Sequence, residues 1–203
     1  MSAAVLQKSI KAAETTVTSQ QYLTWERKQR LRHEFIDGKI YTMAGASRNH
    51  NKITFNINGL LWVIQQDFEN FEAFSTDIRT YAPLKESYVY PDIVLIKGDD
   101  QYLDDEFDTL TNPTAVFEVA SKSTKQFDKS KKFDFYRSIP TLEEYVLIEQ
   151  SEMYITHFYK NTSGEWVIGE ILKTADAQLK LKCLPIVLSV GSMYKGAHFK
   201  AKK

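Results

Sequence analysis

The chain has 203 residues, which suits one domain with a full hydrophobic core, or one domain with a small appendage. Its composition is 43% hydrophobic and 13% aromatic, which is typical of a globular protein and excludes a disordered one. Basic and acidic residues both number 26, so any contact with nucleic acid must use a local patch, because there is no global positive charge.

The single cysteine, Cys183, excludes an internal disulfide and fits a reducing cytoplasm, where we expect the protein to reside. No apolar run approaches the ~20 residues that span a bilayer, so no membrane association is expected. Residues 1–17 lack the apolar stretch of a secretory signal and are predicted to form a flexible tail. Residues 18–203 are predicted to form a single domain, since no Gly/Pro/Ser-rich break divides them.

The first predicted elements are a helix and a hairpin. Residues 19–31 form the helix, which begins at a threonine-serine pair suited to capping. The hairpin covers "HEFIDGKIYTM", because Asp37-Gly38 is a dipeptide that accepts positive φ at both central positions of a tight turn. In that register Glu34 lies across from Tyr41.

A second helix is predicted over about 49–67, where apolar residues from Ile53 to Ile64 recur at helical spacing. His50 lies three residues before Ile53, so it falls on the buried face, at the positive end of the helix dipole. Taken alone, such a histidine is more often bonded to a backbone carbonyl than part of a site.

Three strands follow, and each carries one acidic residue. The first, about 73–81, carries Asp77; the second, "YVYPDIVLI", carries Asp92; the third, "TAVFEVA", carries Glu118. The apolar neighbours of Glu118 are typical of a central strand that is covered on both faces. A carboxylate there must be protonated, paired or bound to metal, and a structural ion pair stays an open alternative.

The next predicted helix, residues 129–138 capped by Asp128, places an amine toward the core. At ~100° per residue, Lys132 falls in the middle of an aromatic arc between Phe135 and Tyr136. Burial of an amine is costly unless it meets an acceptor, although a packed stem with its head in water would also fit. Further strands fill the C-terminal part, which predicts a mixed α/β fold with a central sheet flanked by helices.

Considered together, these polar residues indicate a common site. Two carboxylates on adjacent strands, Asp92 and Glu118, could converge on one divalent cation, since Mg²⁺ typically uses one or two carboxylates plus substrate phosphate. Lys132, from the helix packed over that sheet, could reach the same point and orient water or stabilise developing charge. That constellation is the chemistry of phosphodiester hydrolysis.

The segment "YPDIVLI…NPTAVFEVASKSTKQFDKSKKFDFYRSIPTLEEYVLIEQ" closely resembles the Uma-type restriction endonuclease family of the PD-(D/E)XK nuclease superfamily. The segments "HEFIDGKIYTMAGASRNHNKITFNI" and "STDIRTYAP" resemble the same family, so the likeness runs over about residues 20–195. The resemblance implies a restriction-endonuclease-like central sheet flanked by helices, with an N-terminal hairpin and a strand-rich C-terminal part.

The resemblance also implies roles for individual residues. Asp92 matches the aspartate of the PD motif and Glu118 the acidic residue of the (D/E)XK motif, both ligands of Mg²⁺ or Mn²⁺. The chain departs from the superfamily at Ala120, where the motif has its lysine. In the Uma-type pattern D-x-x-x-K-x-x-x-Y the lysine stands in the following helix, at Lys132, which is favoured over the nearer Lys122.

Five further residues are predicted to line the site: Glu34, His50, Asp77, Ser121 and Tyr136. The resulting hypothesis is a Mg²⁺- or Mn²⁺-dependent endonuclease acting on DNA, with Asp92, Glu118 and Lys132 as its catalytic residues. A homodimer is expected, because a single active site cuts one strand per encounter. The alternative is a catalytically weak or inactive nuclease-fold module that binds nucleic acid or a partner protein, and a third is a fold whose inward charges merely pair.

Overall fold

Two large β-sheets, one small sheet and four helices make up residues 17–43, 45–68, 70–120 and 132–199, the part of the chain that our computed structural model describes. The helices are α1 Ser19–Glu26, α2 Arg48–Asp67, α3 Phe133–Tyr136 and α4 Val190–Met193. A single 3₁₀ turn covers Leu84–Glu86. The mixed α/β class predicted from the sequence is confirmed. Within these residues no helix is both long and apolar enough to cross a membrane.

The first sheet, called the N-terminal sheet, has five strands in the order β2-β1-β5-β4-β7. Its strands are β1 His33–Ile36, β2 Lys39–Thr42, β4 Arg79–Ala82, β5 Ser87–Val89 and β7 Thr109–Leu110. The predicted hairpin joins β1 and β2, and both turn residues have positive φ, 53° at Asp37 and 74° at Gly38. Glu34 pairs with Tyr41, as the hairpin register predicts.

The second sheet, called the central sheet, has six strands in the order β11-β10-β9-β8-β6-β3. Its strands are β3 Phe71–Ser75, β6 Ile93–Lys97, β8 Ala115–Ala120, β9 Glu144–Glu149, β10 Ile155–Lys160 and β11 Trp166–Leu172. Strand β8 lies in the interior, parallel to β9 and antiparallel to β6, and all six of its residues are buried. A small hairpin of β12 Gln178–Lys180 and β13 Val187–Ser189 follows.

The two faces of the central sheet are covered by different layers. On one face, Phe117 and Val119 pack in a cluster with apolar residues of α2, the small hairpin and α4. On the other face, Val116 and Ala120 pack with residues of the N-terminal sheet and α3. Because side chains alternate along a strand, Glu118 faces this second layer, between the two large sheets.

Two of the predicted strands are each divided between the sheets. The strand predicted over about 73–81 is broken at Thr76, whose φ of 49° no extended strand accepts, and the chain then continues into the N-terminal sheet. The predicted strand "YVYPDIVLI" is divided around Pro91, which has no N–H to donate to a ladder. The two crossing points lie side by side, because the Thr76 N–H donates to the Asp92 carbonyl at 3.1 Å.

The first helix is shorter than predicted, ending at Glu26 instead of residue 31. The following residues turn back, and the Glu26 carboxylate accepts the backbone N–H of His33 at 2.8 Å and contacts its ring at 2.9 Å. Tyr90 also donates to Glu26, at 3.0 Å. A charged turn is thereby fixed to the start of β1.

A partly buried ionic network joins elements of the N-terminal sheet. Arg79 is 4% exposed, donates to Thr109 at 3.0 Å and forms an ion pair with Asp108. Arg27 donates to the same Asp108 carboxylate at 2.9 Å and so connects the turn after α1 to β7. Burial alone would raise the pKa of Asp108, but hydrogen bonds from Arg27, Arg79 and Thr109 hold it well below its usual range.

A second group of polar side chains is buried at the start of β9, in the central sheet. Glu144 is fully buried at the start of β9; it forms an ion pair with His157 on β10 and accepts the backbone N–H of Cys183. Burial opposes its ionisation, yet these bonds lower the pKa of Glu144 overall. The Cys183 thiol is free and buried, and burial followed by the neighbouring Glu144 carboxylate raises its pKa. Cys183 therefore packs as part of the core.

Candidate active site

Lys132 lies between two carboxylates that come from different sheets. Its Nζ is 2.8 Å from Glu118 Oε1 on the central sheet and 2.9 Å from Glu34 Oε1 on the N-terminal sheet. All three residues are nearly inaccessible, with exposed fractions of 6% for Lys132, 5% for Glu118 and 8% for Glu34. An ammonium and two carboxylates are thus held at the junction of the sheets and α3.

Tyr136 fixes Glu118 from the same helix. One turn after Lys132, its hydroxyl donates to Glu118 Oε1 at 2.6 Å, and its ring centroid lies 6.0 Å from Lys132 Nζ. Burial, and then the adjacent carboxylates of Glu118 and Glu34, raise the pKa of Tyr136 well above its usual value. The phenol therefore keeps its proton at neutral pH and donates it in the hydrogen bond to Glu118.

Glu34 is positioned by the alternation of β1. His33 and Phe35 face α1, whereas Ile36 packs between the sheets, so Glu34 also points inward. Its Oε1 accepts the backbone N–H of Tyr90 at 3.2 Å, at the end of the neighbouring strand β5. Glu34 is therefore held by a backbone hydrogen bond as well as by its contact with Lys132.

Asp92 lies next to Glu118 across the central sheet. Ile93 pairs with Phe117, and continuation of this antiparallel register places Asp92 opposite Glu118. Its Oδ2 accepts the backbone N–H of Val119 at 2.7 Å, and its Oδ1 is 3.0 Å from His50 Nε2. Both carboxylate oxygens of Asp92 are thereby oriented by specific partners.

His50 enters the site from the first turn of α2. The helix is capped by Ser47, whose hydroxyl accepts the His50 N–H at 3.2 Å. The ring contacts Asp92 through Nε2, while its other nitrogen, Nδ1, is buried without a hydrogen-bond partner among the described residues. His50 therefore holds the Asp92 carboxylate in one orientation.

The remaining predicted site residues differ in their placement. Asp77 lies on the rim, in the crossing after β3, with an 81% exposed side chain that forms an ion pair with Arg32 at 3.0 Å. It does not touch the inward group of Lys132, Glu118 and Glu34. Ser121, Lys122 and the capping residue Asp128 lie outside the described residues, so the predictions made for them stay predictions.

Sequence analysis missed two residues beside the site, Arg32 and Tyr90. The backbone N–H of Tyr90 donates to Glu34, and no side-chain pattern in a sequence predicts a bond of this kind. Arg32 stands two residues before Glu34 and therefore points to the same side of the β1 ribbon. The alternation of side chains along β1 could therefore have identified Arg32 from the sequence.

The carboxylates of Asp92 and Glu118 are oxygen donors of the kind that a hard divalent cation prefers. In the described residues no three His, Cys, Asp or Glu side chains group closely enough to form a complete protein cage. Mg²⁺ does not need such a cage, because it commonly binds through one or two carboxylates and fills its other positions with water and phosphate oxygens. Asp92 and Glu118 are two carboxylates of this kind on neighbouring strands, and their binding of a cation stays a proposal.

The fold defines a protein of the mixed α/β class. The structure is similar to that of an Anabaena variabilis protein described as "a putative nuclease", with a TM-score of 0.70 at 16% identity, over 88% of this chain and 97% of that one. The chain belongs to the Uma2 family, whose description is "Putative restriction endonuclease" and whose model matches residues 19–191. The resemblance found in the sequence is therefore confirmed.

Relatives of known sequence cover most of the chain. An uncharacterised protein of Synechocystis sp. is 39% identical over 156 residues, which is 77% of this chain and 88% of the relative. A second uncharacterised protein of the same organism is 31% identical over 183 residues, which is 90% of this chain and 94% of the relative. The family thus extends over both large sheets.

Proposed function

We propose that the protein is a divalent-metal-dependent endonuclease that hydrolyses phosphodiester bonds in DNA. One observation carries the proposal: the buried Lys132 contacts Glu118 at 2.8 Å. Glu118 lies on β8, and Asp92 lies opposite it where the neighbouring strand β6 begins. Membership of a family whose description is "Putative restriction endonuclease" supports the same reaction class. The proposed cation is Mg²⁺ or Mn²⁺, held by Asp92 and Glu118.

The bound cation would supply charge neutralisation at the scissile phosphate and lower the cost of forming the attacking oxygen nucleophile. His50 and the Val119 N–H hold the Asp92 carboxylate in one orientation. Tyr136 does the same for Glu118 through its hydroxyl. Because these partners are fixed before substrate arrives, little reorganisation is needed during the reaction.

Lys132 is proposed to position the attacking water and to stabilise negative charge on the phosphate. Its ammonium has three N–H donors, and contacts with Glu118 and Glu34 hold the side chain extended toward the site. Glu34 is therefore proposed as a positioning residue for the lysine. This arrangement would replace the lysine that the superfamily motif places two positions after the acidic residue, where this chain has Ala120.

The remaining expectations of cell location and assembly stay proposals. The free Cys183 thiol favours the reducing cytoplasm. A homodimer would allow both strands of a duplex to be cut in one encounter.

The alternative, a nuclease-fold module that binds nucleic acid without cutting it, is favoured by the same ion pairs. The Lys132 ammonium lies within 2.9 Å of two carboxylates, and a lysine neutralised in this way must leave one of them to reach a phosphate. Metal binding separates the two functions: a binding module would bind DNA with no measurable affinity for Mn²⁺.

The test is cleavage of supercoiled plasmid by purified protein with Mg²⁺ or Mn²⁺. Native protein should convert it to nicked or linear DNA, and Asp92→Asn and Glu118→Gln should lose about a thousandfold or more, since the cation supplies several kcal/mol of transition-state stabilisation. Glu106→Gln, which makes the same change at an exposed residue, is the control. Unchanged cleavage by Asp92→Asn would refute the assignment, and calorimetry with Mn²⁺ would identify the binding module.

A further inference from the structure

Arg32 is a second basic side chain beside the site, and the role proposed above does not use it. It immediately precedes β1, and its carbonyl accepts the Met43 N–H at 3.0 Å, so the hairpin ladder extends to this residue. Arg32 therefore points to the same side of the ribbon as Glu34, two residues later. The side chain is 41% exposed, in contrast to the buried Lys132.

Shared neighbours place Arg32 close to the chain segments that carry Glu34 and Asp92. Its guanidinium lies 5.9 Å from the ring centroid of Tyr90, the residue whose N–H donates to Glu34. Its Nη1 donates to the Thr76 carbonyl, and the Thr76 N–H donates to the Asp92 carbonyl at 3.1 Å. Arg32 is thus linked through Tyr90 to Glu34 and through Thr76 to the backbone of Asp92.

The guanidinium already contacts one anionic oxygen. Asp77 Oδ1 lies 3.0 Å from Arg32 Nη1, and the Asp77 side chain is 81% exposed. An exposed pair of this kind contributes little to stability, so an anion with better geometry can displace the carboxylate. The guanidinium fork matches the oxygens of a phosphate group and can contact two of them.

We propose that Arg32 binds a phosphate of the nucleic-acid backbone next to the scissile one, and that Asp77 occupies its place until the substrate arrives. The inference rests on the proposed function and adds the residue that fixes the backbone at the mouth of the site. Arg32 recognises phosphate only, so it contributes to affinity for any sequence and selects none. The positive φ of 49° at Thr76 turns the loop so that the Thr76 carbonyl and Asp77 both meet this arginine.

The test is binding of a short fluorescein-labelled DNA duplex, followed by anisotropy over a range of salt concentrations. Measurements with EDTA and with Ca²⁺, and a denaturing gel of the recovered duplex, restrict the comparison to uncut DNA. Arg32→Ala should bind about tenfold more weakly at 0.1 M salt, with a slope of log K against log salt reduced by about 0.9. Arg30→Ala, which removes the same charge from an exposed position two residues away, should change both quantities less.

Asp77→Asn should change the affinity for DNA in the opposite direction. Removing the competing carboxylate while keeping the side-chain shape should tighten binding roughly two- to fivefold, and this gain should disappear in Arg32→Ala/Asp77→Asn. Equal affinities and slopes for Arg32→Ala and Arg30→Ala would overturn the inference and leave the proposed nuclease intact. Weaker binding by Asp77→Asn would also overturn it. Failure of native protein to bind duplex would instead overturn the proposed function, and this inference with it.

Discussion

Lys132 Nζ lies 2.9 Å from Glu34 Oε1, and this contact joins a helix packed on the central sheet to a strand of the N-terminal sheet. Glu34 is held by the Tyr90 backbone and Lys132 also contacts Glu118, so the ammonium bridges two elements that are far apart in sequence. The position of the candidate catalytic lysine thus depends on how the two sheets dock.

Replacement of Lys132 by methionine should destabilise the protein by about 3 kcal/mol at pH 7, because two carboxylates would remain buried without their shared counter-ion. Urea unfolding measures this loss. Adding Glu34→Gln to the variant should restore part of the stability, because it removes one of the two negative charges. Lys28→Met, at an exposed lysine, is the control and should stay within about 0.5 kcal/mol of native protein. No loss of stability in Lys132→Met would show that the bridge contributes nothing to folding.

His50→Ala should leave the protein folded and lower cleavage about ten- to a hundredfold, since partners that orient a metal ligand commonly have effects of this size. The concentration of Mn²⁺ needed for half-maximal rate should rise, because Asp92 loses the ring that contacts it at 3.0 Å. Plasmid nicking at several Mn²⁺ concentrations measures both quantities. His198→Ala, at an exposed histidine, is the matched control; equal rates in the two variants would exclude the orienting role.

Asp108→Asn should change the pH dependence of stability in the acid range. The pKa of Asp108 is depressed in the folded protein, so its contribution is present above the unfolded value of about 3.9 and is lost as the pH falls below it. We expect a loss of about 2 kcal/mol at pH 7 that shrinks progressively below about pH 4, because the unfolded native chain then takes up a proton that the folded Asp108 carboxylate still resists. Urea unfolding from pH 7 to pH 3 measures the difference, with exposed Asp105→Asn as control. A difference that is constant with pH would contradict the assigned ion pairs.

Glu144→Gln should loosen the C-terminal hairpin and expose the only thiol. Glu144 is fully buried, contacts His157 and accepts the N–H of Cys183, so its neutralisation should cost about 3 kcal/mol. Because burial raises the pKa of Cys183, the native thiol should react slowly with a disulfide reagent, and the variant should react faster. Glu170→Gln, at an exposed glutamate of β11, should leave the reaction rate unchanged. A fast native thiol would contradict the packing described for Cys183.

Local rules predicted much of the fold. The Asp37-Gly38 dipeptide specified its turn, and with it the pairing of Glu34 with Tyr41, because few dipeptides accept two positive φ values. Helix α2, Arg48–Asp67, followed from apolar spacing, since a long periodic segment has few alternatives.

The division of strands between sheets could not be predicted in the same way. Periodicity reports which face of a strand is buried and says nothing of which sheet the strand joins, so the breaks at Thr76 and Pro91 were not anticipated. The same limit applied to the site. Wheel geometry turned Lys132 inward, but its contact with Glu34 depends on long-range docking that no local pattern encodes.

The contact of Lys132 with both sheets also determines when the candidate active site can form during synthesis. Glu34 is made early and Lys132 late, and a ribosome must finish α3 before the ammonium can meet its first acceptor. A partly made chain that ends before α3 therefore carries Asp92 and Glu118 without Lys132, so the proposed hydrolysis requires both sheets and α3 to be complete.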